Sequence, residues 1–142
     1  MSDEYLFVYG TLRRKAVNSR HNLFAGNARF VDAAFVYGTL YEIDGYPGAV
    51  LNENTRKKIY GEVYRLTETS RIFRLLDDYE QCSEKHPPPH EYKRIKTGVF
   101  LADKRRIEAW LYVYQRSTRK LKPIPHGDYL RYMHKGNSNN DA

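Results

Sequence analysis

Phe7-Val8-Tyr9-Gly10-Thr11-Leu12-Arg13 decides the reading of this chain. Residues 5–9 are aromatic or β-branched, apart from Leu6, in a run too short for a helix, which predicts a buried strand. Gly10 ends the run and is read as a position where the backbone adopts a conformation that a Cβ would forbid. Beyond it, the amides of Gly10, Thr11 and Leu12 can turn into one concavity beside Arg13 and Arg14, and successive N–H groups of this kind form an anion-binding nest. A plain strand ending in a glycine turn fits the same residues.

The hexapeptide returns as Phe35-Val36-Tyr37-Gly38-Thr39-Leu40. The copies diverge at once, into Arg13-Arg14-Lys15 and Tyr41-Glu42-Ile43, and no third copy exists. A solenoid needs several stacked units, so this is no repeat architecture. The reading is two strands with similar packing demands, of which only the first opens into a site.

The length of 142 residues suits one domain, placed at residues 1–135, followed by a polar, disordered tail at 136–142. No apolar run approaches the length of a membrane span. Met1-Ser2-Asp3-Glu4 is acidic and lacks the pattern of a secretory signal. The single cysteine, Cys82, excludes an internal disulfide and fits a reducing cytoplasm. Net charge is +7, from 24 Lys and Arg against 17 Asp and Glu. That balance raises nucleic acid, a membrane surface or an anionic substrate as partners. The cations are scattered along the chain and mass on no predicted helix, so a solvated basic surface is expected and nucleic acid is disfavoured.

Strand patterns dominate the rest. Strands are expected at about 4–9, 28–43, 49–51 and 59–66, then an antiparallel pair at about 91–101 and 105–115 joined through Ala102-Asp103-Lys104. Gly45-Tyr46-Pro47-Gly48 reads as a tight turn, and Gly61 as a bulge or a close backbone approach. Short helices are expected near 19–26 and 127–134. The clearest helix covers about 68–80, with Thr67 or Thr69 as its N-cap. Six strands with few helices indicate an α+β domain built on a curled or closed mixed sheet.

On the helical wheel of 68–80, Ile72, Leu75, Leu76 and Tyr79 share an inward arc. Glu80 lies about 40° from Leu76 and about 80° from Ile72, so it is the carboxylate that faces protein. Asp77 and Asp78 read as a solvated flank. Burial raises a carboxyl pKa and makes a general acid–base near neutral pH. Glu80 ending a surface helix is the alternative. Cys82 with His86 or His90 makes a poor thiol nucleophile, because the Pro87-Pro88-Pro89 run keeps the two histidines off a shared helical face. The same residues with Glu84 or Glu91 lack ordered metal-ligand spacing, and no cofactor is called for.

Taken in order, several segments resemble the γ-glutamylcyclotransferase-like superfamily over about residues 5–130. These are Val8-Tyr9-Gly10-Thr11-Leu12-Arg13, Gly38-Thr39-Leu40-Tyr41, Gly45-Tyr46-Pro47-Gly48 and Gly61-Glu62-Val63-Tyr64. They continue with Leu76-Asp77-Asp78-Tyr79-Glu80, Tyr92-Lys93-Arg94, Ala109-Trp110-Leu111-Tyr112-Val113-Tyr114 and Gly127-Asp128-Tyr129. The resemblance implies a small mixed β-barrel with flanking short helices and a cavity between the Tyr-Gly-Thr-Leu turn and the helix glutamate. It implies cyclisation of a γ-glutamyl group to 5-oxoproline, with release of an amine or amino acid. Glu80 would then be the catalytic base, and Tyr9, Gly10, Thr11 and Leu12 would bind substrate. Tyr114 and Tyr129 would add hydroxyls to the cavity by their place in the pattern, although core packing accounts equally for them. Thr11 leans toward the γ-glutamylamine and plant-like branches of the family. Gln81-Cys82 stands where typical members carry glycine after the glutamate, and the proline run lengthens the adjoining loop; both bear on substrate choice. A non-catalytic module, holding a metabolite in the same cavity or nucleic acid on the basic surface, is the competing reading. The sequence carries no signal for oligomeric state.

Overall fold

The structure is a computed structural model that describes residues 4–10, 12–13, 25–43, 45–80 and 90–133. Thr11, Arg14, most of the helix expected near 19–26, the loop 81–89 with Cys82 and His86, and the tail 134–142 lie outside the described residues. Seven strands form among the described residues: β1 (Glu4–Val8), β2 (Ala28–Ile43), β3 (Tyr46–Leu51), β4 (Lys58–Leu66), β5 (Tyr92–Leu101), β6 (Arg106–Tyr114) and β7 (Lys122–Pro123). One helix, α1 (Thr69–Tyr79), connects β4 to β5, and residues 129–133 are helical.

The sheet runs β2-β4-β1-β6-β5 and returns to β2 through Ala34↔Leu101 and Phe35↔Phe100, which closes a five-stranded barrel. β1 pairs in parallel with β6 and antiparallel with β4, so the barrel is mixed. Closure removes the exposed edges that an open sheet would leave. β2 outruns the barrel, and its far end, Gly38 to Ile43, pairs with β3 and β7.

β1 is buried on both faces, which explains its unbroken apolar sequence. Phe7 and Tyr9 face the barrel interior with Val36, Ile59, Val63, Leu111 and Tyr129. Leu6 and Val8 face outward into a second cluster with Tyr64, Tyr112 and the α1 residues Ile72, Phe73 and Leu76. The repeated hexapeptide departs from expectation here. In the second copy Val36 points inward, while Phe35 stacks on Phe100 outside the barrel, with ring centroids 5.3 Å apart. Identical residues therefore serve opposite faces, because strand parity rather than composition sets direction.

Other expectations shift in register. The turn at 45–48 is shorter than read, since Tyr46, Pro47 and Gly48 already belong to β3. Pro47, which has no N–H to donate to a ladder, is tolerated because β3 is the outer strand. Gly61 is a close approach, where a Cβ would lie 2.2 Å from the Val8 carbonyl oxygen; the bulge sits in β2 between Phe30 and Asp32. The α1 N-cap is Glu68, which makes no capping side-chain bond, in place of Thr67 or Thr69. The inward arc of α1 is also rotated. It comprises Ile72, Phe73 and Leu76, while Leu75 and Tyr79 are 44% and 37% exposed.

Candidate active site

The end of β1, the end of α1 and the start of β5 converge on a cavity of about 300 Å³. Tyr9, Gly10 and Leu12 line one side, and Glu80 lines another. Tyr46 and Pro47 of β3, Glu91 and Tyr92 at the start of β5, and Tyr112 of β6 complete most of the wall. Residues 70 positions apart in the chain thus meet because β1 and α1 share the outer apolar cluster.

Glu80 caps α1. Its N–H donates to the Leu76 carbonyl at 2.8 Å, and its backbone has left the helical region at ψ 1°. It continues the stripe Ile72-Leu76 by one further turn, so the packing that buries those residues carries the carboxyl to the cavity. Burial first, and the facing Glu91 carboxylate second, push the Glu80 carboxyl from 4.5 up to about 8. Glu91 is oriented by Tyr46, whose hydroxyl donates to Oε1 at 2.5 Å.

Asp77 is no solvated flank. It accepts two hydrogen bonds from Arg94, at 2.9 and 3.2 Å, and one from the Tyr112 hydroxyl at 2.6 Å. The Arg94 guanidinium lies 4.0 Å from the Phe73 ring centroid and 4.9 Å from that of Trp110. A fork-shaped cation with both a carboxylate and two aromatic faces is strongly oriented. It fixes the last turn of α1 against β5 and β6, three residues before Glu80. Asp78 is exposed, as expected.

Gly10 serves the site by closeness. A Cβ there would lie 2.6 Å from Cγ of Pro47, and its backbone has no positive φ, which corrects the conformational reading of this glycine. The turn is closed by the Arg13 N–H donating to the Gly10 carbonyl at 2.9 Å. The Arg13 guanidinium reaches two carboxylates of the protein. It is buried against Glu62 at 3.2 Å and Asp128 at 3.1 Å, tying the turn to β4 and to the segment before residues 129–133.

The tyrosine hydroxyls are largely committed to protein. Tyr9 donates to the Tyr112 carbonyl at 2.6 Å and accepts from the Ala49 N–H at 3.3 Å. Tyr92 donates to the Pro47 carbonyl at 2.8 Å. Burial raises both phenols well above their ordinary range, so they remain neutral donors. Tyr114 and Tyr129 lie away from the cavity wall. Tyr114 packs over Gly48 and edge-on to Tyr92, one ring behind the lining. Tyr129 is a core residue whose hydroxyl donates to the Gly45 carbonyl at 3.3 Å.

The structure therefore brings Glu80, Tyr9, Gly10 and Leu12 together and leaves Tyr114 and Tyr129 outside the lining, while Thr11 lies outside the described residues. Sequence reasoning passed over Tyr46, Pro47, Glu91, Tyr92 and Tyr112 as lining residues. Tyr92 could have been found, since it is the register partner of Tyr114 in the β5–β6 pair. Glu91 carries no comparable signal, because its approach to Glu80 depends on how β5 begins.

The sequence model of the family described as "Gamma-glutamyl cyclotransferase, AIG2-like" matches residues 6–131. A provisionally named gamma-glutamylcyclotransferase of Methanocaldococcus jannaschii is 35% identical over 132 residues, covering 91% of this chain and 98% of that protein. The gamma-glutamylcyclotransferase family protein YtfP of Escherichia coli K12 is 34% identical over 128 residues, covering 88% of this chain and 95% of YtfP. The crystal structure of an AIG2-like protein from Mus musculus shares the fold at a TM-score of 0.68 and 21% identity, over 91% of this chain and 89% of that one.

Proposed function

The chain belongs to the gamma-glutamyl cyclotransferase, AIG2-like family, and from that premise we propose that it cyclises a γ-glutamyl group to 5-oxoproline, releasing an amine or amino acid. The observation that carries this reading is that Glu80 and the Tyr9–Gly10–Leu12 segment line one cavity. In the reaction the substrate's α-nitrogen bonds to its own γ-carbonyl carbon, and the carbon–nitrogen bond to the leaving amine breaks. Two protons pass from the α-ammonium to the leaving nitrogen. The nucleophile comes from the substrate, so the protein needs a proton carrier and a mould.

Glu80 is the carrier. With its pKa raised to about 8, it lies far closer to an α-ammonium than an ordinary carboxylate does, which eases the proton transfer. It takes a proton from the attacking nitrogen and returns it to the leaving one. Glu91, turned by Tyr46, supplies a second carboxylate to hold the ammonium. The backbone of the 9–12 turn supplies N–H donors for the substrate carboxylate or the developing oxyanion. A volume of about 300 Å³ suits a glutamyl group folded with its two ends together, which removes the entropy of ring closure.

The test is 5-oxoproline release by the full chain from a panel of γ-glutamyl amino acids, γ-glutamylamines including the ε-lysine isopeptide, and acylated natural products. Release from at least one class, in equimolar amount with free amine, is expected. No release from any of them overturns the reading.

A further inference from the structure

On another side of the barrel, the start of β4, the β2 segment beginning at Gly38 and the Pro125–Gly127 turn enclose a larger cleft of about 680 Å³. Four permanent cations line it, Arg56, Lys57, Lys58 and Arg131, against one carboxylate, Asp128. The chain as a whole holds 24 cations to 17 acids, so a four-to-one ratio in one concavity is a concentration of charge and not a sample of the surface. Three of the four are consecutive in the chain, Arg56-Lys57-Lys58, and the fold brings Arg131 to them from a distant segment.

Their charges are available. Lys58 Nζ sits 4.5 Å from the Phe35 ring centroid, a contact that leaves its charge unneutralised. Arg56, Lys57 and Arg131 form no ion pair with a carboxylate among the described residues. Asp128 is already occupied, since its Oδ1 accepts from Arg13 at 3.1 Å and from the Arg131 N–H at 3.3 Å. The turn that walls the cleft has an uncommon backbone. His126, a lining residue, holds a left-handed backbone at φ 66°, and Gly127 follows at φ 64°. A Cβ at Gly127 would lie 1.8 Å from the Lys58 carbonyl oxygen, so the turn is pressed onto β4 beside the cations. A left-handed backbone is uncommon for a non-glycine residue such as His126, and residues of this kind collect at ligand sites. Tyr60, 39% exposed, adds an aromatic ring to the rim.

We propose that this cleft is a second binding site, separate from the Glu80 cavity, for a small phosphate-bearing anion such as a nucleoside polyphosphate. The cations contact the phosphates, and Tyr60 offers a face for a planar base. A single aromatic ring and a bounded cleft fit one small molecule better than a nucleic-acid strand, which needs a track of successive rings and charges.

The experiment is calorimetric titration of the full chain with tripolyphosphate, ATP and a single-stranded oligothymidylate, at low and moderate salt. Tripolyphosphate and ATP should bind, and affinity should fall as salt rises. The double variant Arg56→Ala/Arg131→Ala, checked for an unchanged melting temperature, should weaken both by at least about tenfold. Glu80→Gln should bind them as the wild type does, which separates this site from the catalytic reading. Tighter binding of ATP than of tripolyphosphate, lost in Tyr60→Ala, supports the base contact. The proposal is overturned if neither phosphate ligand binds, or if the double variant binds unchanged. It is equally overturned if the oligonucleotide binds with affinity that grows with length while the small ligands do not.

Discussion

Glu80 holds its proton to about pH 8 for two reasons that can be separated, burial and the facing Glu91. The productive complex carries the substrate ammonium and an ionised Glu80 beside the Glu91 carboxylate. Activity should therefore fall on the acid side as Glu80 protonates, near pH 8, and on the alkaline side, at higher pH, as the substrate ammonium deprotonates. A kcat/KM profile whose acid limb lies near pH 8 is expected. Glu91→Gln removes the second cause and should move the acid limb to lower pH; an acid limb near the ordinary carboxyl value in the wild type would contradict the assignment. Gly10 is a separate residue-scale case. Gly10→Val drives a branched side chain into the Pro47 ring, and overpacking of this kind costs about 1–3 kcal/mol. A lowered melting temperature with raised KM is expected, whereas a variant as stable and active as the wild type would show that the turn and β3 need not touch.

At the scale of elements, the site depends on where α1 ends. Its last turn is held by the Arg94 fork on Asp77, backed by Phe73 and Trp110, and the Tyr112 hydroxyl joins the same carboxylate. Arg94→Lys keeps the charge and loses the fork. The expected result is a fall in kcat of about tenfold with a small loss of stability, since Glu80 is left intact but less well aimed. A kcat unchanged within twofold, in a folded protein, would mean that α1 is fixed by its apolar contacts alone. The helix was legible in the sequence, as was Glu80 as its inward carboxylate, because a 3.6-residue period survives a small error in phase. The partners of Asp77 were not legible. They come from β5 and β6, and no local pattern in residues 68–80 reports which carboxylate a distant arginine will reach. The β1 strand was read correctly from its unbroken apolar run. The same six residues in β2 were misjudged, because composition does not state which face a strand's parity will bury.

For the molecule as a whole, closure of the barrel places the cavity, and closure is the least legible step. The β2–β5 contact rests on two residue pairs, Ala34↔Leu101 and Phe35↔Phe100, which nothing in either strand announces. The mixed barrel with flanking helices was reached from the ordered series of motifs, with strand count as its only local support. A half-buried acid with a raised pKa also makes stability depend on pH. The folded chain holds the Glu80 proton more tightly than the unfolded chain, so its contribution is complete below about pH 4.5 and is lost as pH rises through 8. Glu80→Gln should therefore melt higher than the wild type at pH 9 by a wider margin than at pH 5, and equal margins would show that Glu80 is solvated. The most direct test of the whole account uses the same variant at a single pH. With a γ-glutamyl compound that the wild type converts, Glu80→Gln should still bind it, while 5-oxoproline release falls by about 10²–10⁴-fold. Release within a few fold of the wild type from a folded Glu80→Gln protein would contradict the account at its centre.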